Sequence, residues 1–430
     1  MDEEKFKELK KILTEKNLCD HCIGRQFIQL FKGKKEAQVG AAVRKAESFK
    51  EIEKLLEKQL PVIELSNCEL CGDVFIRTKE FEKKLMQKAR ELEFDSFLVG
   101  NVLPQQVLEN QDKLWAETGC EYCEPIKREL NKLFGEFLAK QLKNKKTDFK
   151  KPEVVFIINY ESGEVEPQIN DLYIYGRYNK LKRGLPQTKW PCRLCKGTGV
   201  YKGEECPNCH GTGKQFQETV EELIAPKAVE AAQASGESFH GSGREDRDAL
   251  MLGNGRPFVL ELKEPKKRNL DYKKLEEEIN AYCEGKVKVN SLRKSSKEEV
   301  IELKKALHDK LYEAVVETEK PFESLEKLEE FFKDKELKQR TPTRVAHRRK
   351  DKVRKRKVYS VKTEKIDDTH FKALIKAESG TYIKELISGD FNRTKPSFAE
   401  VLGVPCICKE LNVLEIIDKK PAEGDELKNE

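Results

Sequence analysis

Hydrophobic and polar residues recur with two different periods along the chain, and the first 74 residues show the helical one. Phe6, Leu9, Ile12 and Leu13 lie three or four residues apart, or side by side, within a run rich in Lys and Glu, which predicts a charged amphipathic helix. Two C-x-x-C pairs interrupt this region, in NLCDHCIGRQF and SNCELCGD. Residues 1–74 are therefore expected to be helical and to carry a cysteine knuckle.

From residue 75 the pattern mixes helices with strands. The runs VVFIINY and DLYIYGRY are apolar, β-branched and aromatic, which is typical of strands, and an amphipathic helix follows Cys123. We assign residues 75–187 to one mixed domain. Residues 188–215, which hold two further C-x-x-C pairs, are expected to form a compact insert.

A new pattern begins at residue 216. The helix VEELIAPKAVEAAQ precedes a Gly/Ser/Arg loop, and the strands RPFVLELKEP and KVKVNSLR follow. A helix-like stretch near 297–315 comes next, then a basic segment and strands that include FKALIKAES. We expect a second large domain at residues 216–420 and a frayed tail at 421–430.

Composition narrows the class of protein. The 430 residues are 37% hydrophobic and 37% charged, which is enough apolar material for about three domains. No run of about 18 uncharged apolar residues occurs, and the first segment, MDEEKFKELKKILTEK, lacks the apolar core of a signal peptide. We therefore expect a cytoplasmic protein that neither enters a membrane nor is secreted.

The net charge is only +6, but positive charge is concentrated in one segment of the chain. The segment from Lys338 to Lys357 holds eleven Lys or Arg and one acid, Asp351. A stripe of this density can displace counterions from nucleic-acid phosphates. A solvated charged face or a localisation signal remains the alternative interpretation.

Cysteine usage indicates metal binding. Ten of the thirteen cysteines form five C-x-x-C pairs, and two such pairs supply the four thiolates of a structural zinc site. The repeat CRLCKGTGVYKGEECPNCHGTGK is the most specific, because glycines after each knuckle let backbone N–H groups turn toward the sulfurs. It predicts one Zn²⁺ site whose ligands are Cys192, Cys195, Cys206 and Cys209.

A second zinc site is expected to join the two knuckles of the N-terminal region. Its ligands would be Cys19, Cys22, Cys68 and Cys71. The remaining pair, Cys120 and Cys123, stands at the head of an amphipathic helix, where partly buried free thiols and a metal role are both open. One or two structural zinc ions are thus expected.

The loop GSGREDRDALMLGNGRPF is where chemistry is expected, because glycines, Ser242 and an Arg–Asp pair precede a strong strand. A phosphate cradle would need glycines that lead into a helix, and a dinucleotide loop would need a strand before and a helix after. Neither context is present. From the residues alone, a capping or ion-paired aspartate in a mobile loop remains the simplest interpretation.

A resemblance to a known family favours a different interpretation of this loop. Gly243-Arg244-Glu245-Asp246 is similar to the G-R-x-D loop of the pseudouridine synthases, and SGREDRDALMLGNGRPFVLEL resembles the tRNA pseudouridine synthases of the tenth family. GRYNKLKRGLPQT, VEELI, TPTRVAHRR and SGTYIKELISGDFNRTKPS resemble that family in the same order. The resemblance spans nearly the whole chain. It implies an α+β protein with a THUMP-like RNA-binding domain at 75–187 and a catalytic domain at 216–420, built on a mixed, mainly antiparallel sheet flanked by helices.

The resemblance also implies an activity, the isomerisation of uridine to pseudouridine in the tRNA T arm at position 55 and also at 54, without an organic cofactor. Asp246 matches the family's catalytic aspartate, a nucleophile whose point of attack, sugar or ring, is open. A flipped-out base needs an aromatic face, and a cation keeps the carboxylate ionised. The substrate-binding residues implied are Tyr312, Tyr382, Lys384, Arg244 and Arg393.

The partner implied is tRNA, held by its T arm and acceptor end, and a monomer is expected. Methyltransferases and thiolation enzymes with related RNA-binding domains need nucleotide loops that do not occur in this sequence. A non-catalytic, zinc-containing tRNA-binding protein is the alternative.

Overall fold

The computed structural model describes residues 1–119, 121–347 and 349–417, and these form two compact units. Cys120, Arg348 and the expected frayed tail lie outside the described residues. The first unit comprises Met1–Asp171 with Glu264–Asn269, and the second comprises Leu172–Lys263 and the chain from Leu270. Across the described ranges, none of the helices has both the length and the apolar character needed to cross a membrane.

The first unit combines a helical region with a small α/β sheet. Its helices are α1 (Glu3–Glu15), α2 (Asp20–Gly24), α3 (Glu36–Lys45), α4 (Phe49–Leu56), α5 (Thr78–Arg90), α6 (Gln105–Thr118) and α7 (Ile126–Gln141). Its strands are β1 (Ser96–Val102), β2 (Lys146–Thr147), β3 (Val154–Asn159) and β4 (Glu164–Ile169), in the order β2-β1-β3-β4. Phe6, Leu9 and Leu13 of α1 are buried, so the predicted amphipathic period is confirmed.

The second unit is built on a ten-stranded sheet. Its strands are β5 (Leu172–Lys180), β8 (Gly236–Gly241), β9 (Leu250–Lys263), β10 (Val287–Ser295), β11 (Asp309–Thr318), β12 (Lys335–Arg340), β13 (Val353–Lys365), β14 (His370–Ala377), β15 (Thr394–Lys395) and β16 (Cys406–Ile417). Its helices are α8 (Val220–Ala232), α9 (Tyr272–Tyr282), α10 (Lys297–Lys305), α11 (Glu326–Phe331), α12 (Ile383–Ser388) and α13 (Phe398–Leu402).

This sheet is mixed and mainly antiparallel, as predicted. Its order is β10-β5-β9-β16-β11-β14-β13-β12-β15, with β8 paired to β9. Within this sheet, the short contact between β9 and β16 is the only parallel one among the described pairings, and it places Leu250 beside Asn412 and Met251 beside Val413. The start of β9, which follows the G-R-E-D loop, therefore lies at the middle of the sheet.

Two sequence predictions about boundaries need correction. The mixed domain predicted at 75–187 included DLYIYGRYNK, but this segment is β5 and pairs with β9 and β10 in the sheet of the second unit. Its alternate buried residues, which include Leu172, Ile174 and Tyr178, complete the core of that unit. The pattern identified a strand correctly but could not identify its sheet, because pairing partners are distant in sequence.

The helix-like stretch near 297–315 is a helix only at its start. Helix α10 ends at Lys305, and β11 begins at Asp309. Tyr312, Ala314 and Val316 are buried on one face of β11, which is the period of two expected for a strand. Tyr312 consequently projects from a sheet rather than from a helix.

The insert at 188–215 has its own small core. The short strands β6 (Val200–Tyr201) and β7 (Glu204–Glu205) form a hairpin. The four cysteines Cys192, Cys195, Cys206 and Cys209 are its buried cluster, and Tyr201 packs against them.

Candidate active site

The G-R-E-D loop joins β8 to β9 and depends on a glycine at its start. Gly243 has a φ of +70°, a left-handed conformation that residues with a Cβ rarely adopt. The carbonyl of Asp246 accepts a hydrogen bond from the amide of Ala249 at 3.1 Å, which closes the loop before β9. The loop thus turns tightly and directs Glu245 and Asp246 to opposite environments, one buried and one partly exposed.

The buried side chain of Glu245 anchors the loop to strands β5 and β9. Its carboxylate accepts hydrogen bonds from Arg256 Nε at 2.7 Å and from the Tyr178 hydroxyl at 2.9 Å, and all three side chains are buried. Burial would raise the pKa of Glu245, but attraction to Arg256 and Lys180 outweighs it and lowers that pKa. A buried, paired carboxylate of this kind fixes the backbone of its neighbour Asp246.

Lys180 fastens the same loop through its backbone. Its buried ammonium donates to the carbonyl oxygens of Asp246, Arg247 and Leu185, at 3.0, 3.0 and 2.9 Å. Its Nζ also lies 3.7 Å from Glu245 Oε1. Three oriented carbonyls and a carboxylate offset part of the burial penalty on this charge, and burial still lowers the pKa of Lys180.

Asp246 itself faces Arg344. Arg344 NH1 donates to Asp246 Oδ1 at 2.9 Å, whereas Lys384 Nζ lies 3.9 Å from Asp246 Oδ2 and 2.5 Å from Asp248 Oδ2. The sequence predicted Lys384 as the cation beside the aspartate. The structure brings Lys384 near, but the direct hydrogen bond comes from Arg344.

Arg344 is held in place by a second carboxylate. Its Nε donates to Glu385 Oε1 on α12 at 2.7 Å, so one guanidinium bridges Glu385 and Asp246. Burial lowers the pKa of Arg344, but hydrogen bonding and attraction to Glu385, and then to Asp246, raise it above its ordinary value. The cation beside Asp246 is therefore permanent and oriented.

A cavity of about 280 Å³ opens at Asp246, near the lower end of the size range of small-molecule sites. It is lined by four residues predicted from the sequence, Arg244, Asp246, Tyr312 and Tyr382. Arg344, Arg256 and Lys310 also line it. The cavity therefore combines two carboxylates, those of Asp246 and the buried Glu245, with two phenol rings and several cations.

The two tyrosines are fixed in different ways. Tyr312 is buried on β11, and this burial raises its pKa to about 12. The backbone of Tyr382 exchanges two hydrogen bonds with the buried side chain of Gln339, at 2.9 and 3.0 Å, and its hydroxyl accepts from Arg349 NH1 at 3.0 Å. Burial thus keeps the Tyr312 phenol protonated, and hydrogen bonds hold Tyr382 in position before any ligand enters.

Lys310 is a second lysine whose pKa is perturbed. It lies two residues before Tyr312 on the same face of β11 and lines the cavity. Burial, together with the nearby Arg256, lowers its pKa from 10.5 to about 8. The sequence analysis did not single it out.

Arg393 and Arg244 have separate positions. Arg393 does not line the cavity; it donates to the carbonyl of Thr341 at 2.7 and 3.0 Å and to Asp351 at 2.9 Å. Arg244 lies with its guanidinium carbon 5.6 Å from the centre of the Trp190 ring and lines the cavity edge. Arg393 thus holds the segment that leads to Arg344.

Sequence reasoning missed Lys180, Glu245 and Arg344 as components of the site. A signal existed for Lys180, because it continues the inward-facing alternation of β5 and is a cation at a core position. Arg344 was counted among the phosphate contacts of the basic stripe, and only the tertiary structure brings it to Asp246.

Two groups of four cysteines could each hold a metal ion. In each group the sulfurs lie within 4.8 Å of one another and the residues are buried. The groups are the predicted ones, Cys19, Cys22, Cys68 and Cys71, and Cys192, Cys195, Cys206 and Cys209. Amides point at the sulfurs, for example Gly213 N at 3.2 Å from Cys209 Sγ, as around bound metal.

Comparisons with known proteins identify the family. The family model described as "Pus10, C-terminal" matches residues 173–417, and that described as "Pus10 THUMP domain, archaeal" matches residues 81–159. The chain is 39% identical to a "tRNA pseudouridine synthase Pus10" of Methanothrix thermoacetophila, over 94% of this chain and 93% of that protein. It is 43% identical to the protein of the same name from Methanothermobacter marburgensis, over 94% and 96%.

Among solved structures, a Cbf5-Nop10-Gar1 complex matches 46% of this chain and 46% of its own, with 18% identity and a TM-score of 0.29. The sequence matches carry the assignment: the protein is a pseudouridine synthase that also contains a THUMP domain. More narrowly, the chain belongs to the Pus10 family of tRNA pseudouridine synthases.

Proposed function

We propose that this enzyme converts uridine to pseudouridine in the T arm of tRNA, at position 55 and also at position 54, with Asp246 as the nucleophile. The observation that carries the proposal is the position of the Asp246 carboxylate, in a tyrosine-lined cavity and 2.9 Å from Arg344 NH1. The reaction detaches uracil from its sugar, rotates it and joins C5 to the same sugar carbon. It has no net oxidation or group transfer, so no organic cofactor is required.

Asp246 supplies the covalent step. Its oxygen bonds to the sugar carbon or to the pyrimidine ring and leaves again once the base has turned. Arg344, whose NH1 contacts Asp246 Oδ1, orients this carboxylate at the cavity. The proton on C5 is lost after the new carbon–carbon bond forms. Tyr312, whose phenol lines the same cavity, accepts it at the hydroxyl oxygen and passes its own O–H proton to solvent, while N1 of the turned base takes a proton from solvent.

The substrate must reach this cavity as an extruded nucleotide, because a stacked uridine presents neither its sugar carbon nor C5 to a side chain. Tyr312 and Tyr382 provide aromatic surfaces for the flipped base. The basic stripe contacts T-arm phosphates, and the THUMP domain contacts the acceptor end. We further propose that the enzyme acts as a monomer in the cytoplasm.

Replacement of Asp246 tests the nucleophile. Asp246→Asn keeps the size of the side chain but removes its nucleophilic charge, so pseudouridine formation should fall below detection while tRNA binding stays within a few-fold. An unmodified tRNA transcript is incubated with enzyme and pseudouridine is mapped chemically. Transcripts with cytidine at position 54 or 55 separate the two sites.

Asp248→Asn is the matched control, because Asp248 is two residues away, more exposed, and pairs with Lys384 rather than Arg344. It should retain most activity. Isomerisation by Asp246→Asn would reject the nucleophile assignment. A wild-type chain that binds tRNA without changing it would instead support the alternative, a non-catalytic zinc-containing tRNA-binding protein.

We also propose that both cysteine groups hold structural Zn²⁺. Sulfurs about 2.3 Å from a zinc ion lie about 3.8 Å apart in a tetrahedron. The separations of Cys19 from Cys71 and of Cys192 from Cys206, at 3.7 and 3.9 Å, fit this value. Native mass spectrometry should find two zinc ions per chain and one in Cys206→Ser.

A further inference from the structure

The loop after α12 has an unusual backbone. Asp390, Phe391 and Asn392 are three consecutive residues with left-handed φ angles of 44°, 55° and 65°, and none of them is glycine. Side chains with a Cβ disfavour this conformation, most of all when they are bulky. Such a loop persists only where its surroundings hold it.

The surroundings hold it firmly. Asp390 Oδ2 accepts a hydrogen bond from the amide of Thr343 at 2.9 Å, and the amide of Thr394 donates to the carbonyl of Gly389 at 3.1 Å. Arg393 then ties the end of the loop to Thr341, as described above. These contacts fix the backbone at both ends of Phe391.

The fixed loop presents Phe391 to solvent. Its exposed fraction is 91%, the largest of any exposed large apolar residue in the described part of the chain. An exposed Phe on a mobile tip would need no explanation. Here a strained and tethered backbone holds the ring outward, which indicates that the ring has a ligand.

The neighbouring strands supply a row of like charges. Lys338 of β12 is in register with Lys355 of β13 on one side and with Lys395 of β15 on the other, and all three lysines are exposed. Like charges directly opposite one another destabilise a sheet. Glu336 pairs with Lys355 at 3.1 Å, which offsets part of this charge. An anion along the row would offset the rest.

We propose that Phe391 is a stacking platform for an unpaired RNA base whose flanking phosphates bind Lys338, Lys395 and Lys355. This inference rests on the proposed tRNA substrate and deepens it by naming a contact outside the cavity. Phe391 lies four residues before Lys395, on the loop that leads into β15, so the exposed ring and the row of cations belong to one part of the sheet edge. An aromatic ring together with cations is the combination by which proteins hold single-stranded RNA. A protein partner would need a wider apolar patch than one ring.

The platform is also connected to the active site. The Thr343 amide that Asp390 holds precedes Arg344, whose guanidinium contacts Asp246. A base stacked on Phe391 would therefore contact the loop that is hydrogen-bonded to Thr343, next to Arg344, the residue that orients the Asp246 carboxylate. RNA bound at this loop would stabilise the arrangement that the reaction needs.

The test uses the full-length chain and a short single-stranded RNA that carries one 2-aminopurine, with a duplex of the same sequence. Phe391→Ala should bind the single strand about tenfold more weakly, and Phe391→Trp should restore binding, because stacking needs an aromatic face. Ile407→Ala is the matched control, since Ile407 is a 59%-exposed residue on β16 of the same unit. It should bind as the wild type does.

Two results would overturn the proposal. Full binding by Phe391→Leu would show that an apolar side chain suffices, as for a protein contact, and an equal loss on the duplex would exclude base stacking. Thermal unfolding of each variant checks that the fold is intact. Pseudouridine mapping of the wild type is a separate readout: if tRNA is not modified but binding still depends on Phe391, the stacking inference stands and the enzymatic proposal falls.

The lysine row has its own test. Replacing Lys338 and Lys395 with Ser removes two phosphate contacts, so the slope of log affinity against log salt should become shallower by about 1.4. Lys365→Ser is the control, because Lys365 lies on β13 and pairs with Asp368 at 2.7 Å. An unchanged slope in the double variant would remove the lysines from the proposed contact.

Discussion

Two lysines beside the G-R-E-D loop, one buried and one half-buried, carry the same charge in different surroundings. The ammonium of Lys180 is buried against the loop, donates to three carbonyl oxygens and lies 3.7 Å from the buried carboxylate of Glu245. Lys310 lies in the wall of the cavity, where among the described residues its ammonium donates to one carbonyl, that of His308, at 3.1 Å. Burial lowers the pKa of both, and that of Lys310 falls to about 8.

We infer from this difference that Lys180 has a structural role and that Lys310 has a functional one. The charge of Lys180 is matched by the oxygens around it, so it holds the backbone of Asp246 in one place. The charge of Lys310 is poorly matched by the protein and faces the space where substrate enters. A group retained at a cost in stability inside a cavity is better explained by its ligand than by the fold.

Removal of Lys180 should have the largest effect. Lys180→Met leaves three buried carbonyls without their donor and Glu245 with one cation fewer, so the free energy of unfolding should fall by about 3 to 5 kcal/mol. Urea unfolding measures this. At a temperature where the variant is folded, kcat should fall more than KM rises, because the proposed nucleophile, Asp246, is mispositioned. Lys182→Met, at an exposed site two residues away, is the control, and equal stability of the two variants would contradict the clamp.

Replacement of Arg344 tests whether the geometry of its guanidinium matters in addition to its charge. Arg344→Lys keeps the cation but loses the planar fork that reaches Asp246 and Glu385 together. Activity should fall by about 10- to 100-fold with a change in unfolding free energy below about 1 kcal/mol, since the side chain is partly exposed. Arg349→Lys, at the neighbouring arginine that contacts Tyr382, should lose less. Full activity in Arg344→Lys would mean that a point charge suffices.

Sequence reasoning recovered the parts of the site that are local. The G-R-E-D string indicated Asp246, SGTYIKELISGDFNRTKPS contains Tyr382, the family resemblance implied Tyr312, and cysteine spacing grouped the two sulfur clusters, because each depends on residues close in sequence or on a family pattern. The Arg344 to Asp246 contact could not be predicted, since it joins residues far apart in the chain through the tether to Glu385.

The same limit explains the errors in the fold. The alternation in DLYIYGRYNK predicted a strand but not its membership of the catalytic sheet, which depends on register with β9 and β10. The apolar residues after Lys305 continued a helical pattern over a short distance, and burial on alternate positions of β11 decided the outcome. Short apolar runs fit both periods, so tertiary pairing resolves them.

Replacement of Lys310 should have the smallest and most specific effect, an increase in the free energy of unfolding. Its pKa of about 8 in the folded protein lies below the 10.5 of an unperturbed lysine, so between these values the unfolded chain binds more protons and stability rises with pH. Below pH 8 the penalty is fully present. Lys310→Met should therefore raise the free energy of unfolding at pH 7 by at least about 1 kcal/mol, and the gain should vanish as the pH approaches 10.5.

The comparison with Lys180 makes this prediction decisive. Urea unfolding of wild type and Lys310→Met at pH 7, 8.5 and 10 should give converging stabilities, whereas Lys180→Met should remain destabilised throughout. Lys310→Met should also lose tRNA affinity or turnover, because the cavity in which we propose that the uridine binds loses a cation from its wall. If Lys310→Met is less stable than the wild type at pH 7, the lysine belongs to the framework as Lys180 does, and the distinction between the two disappears.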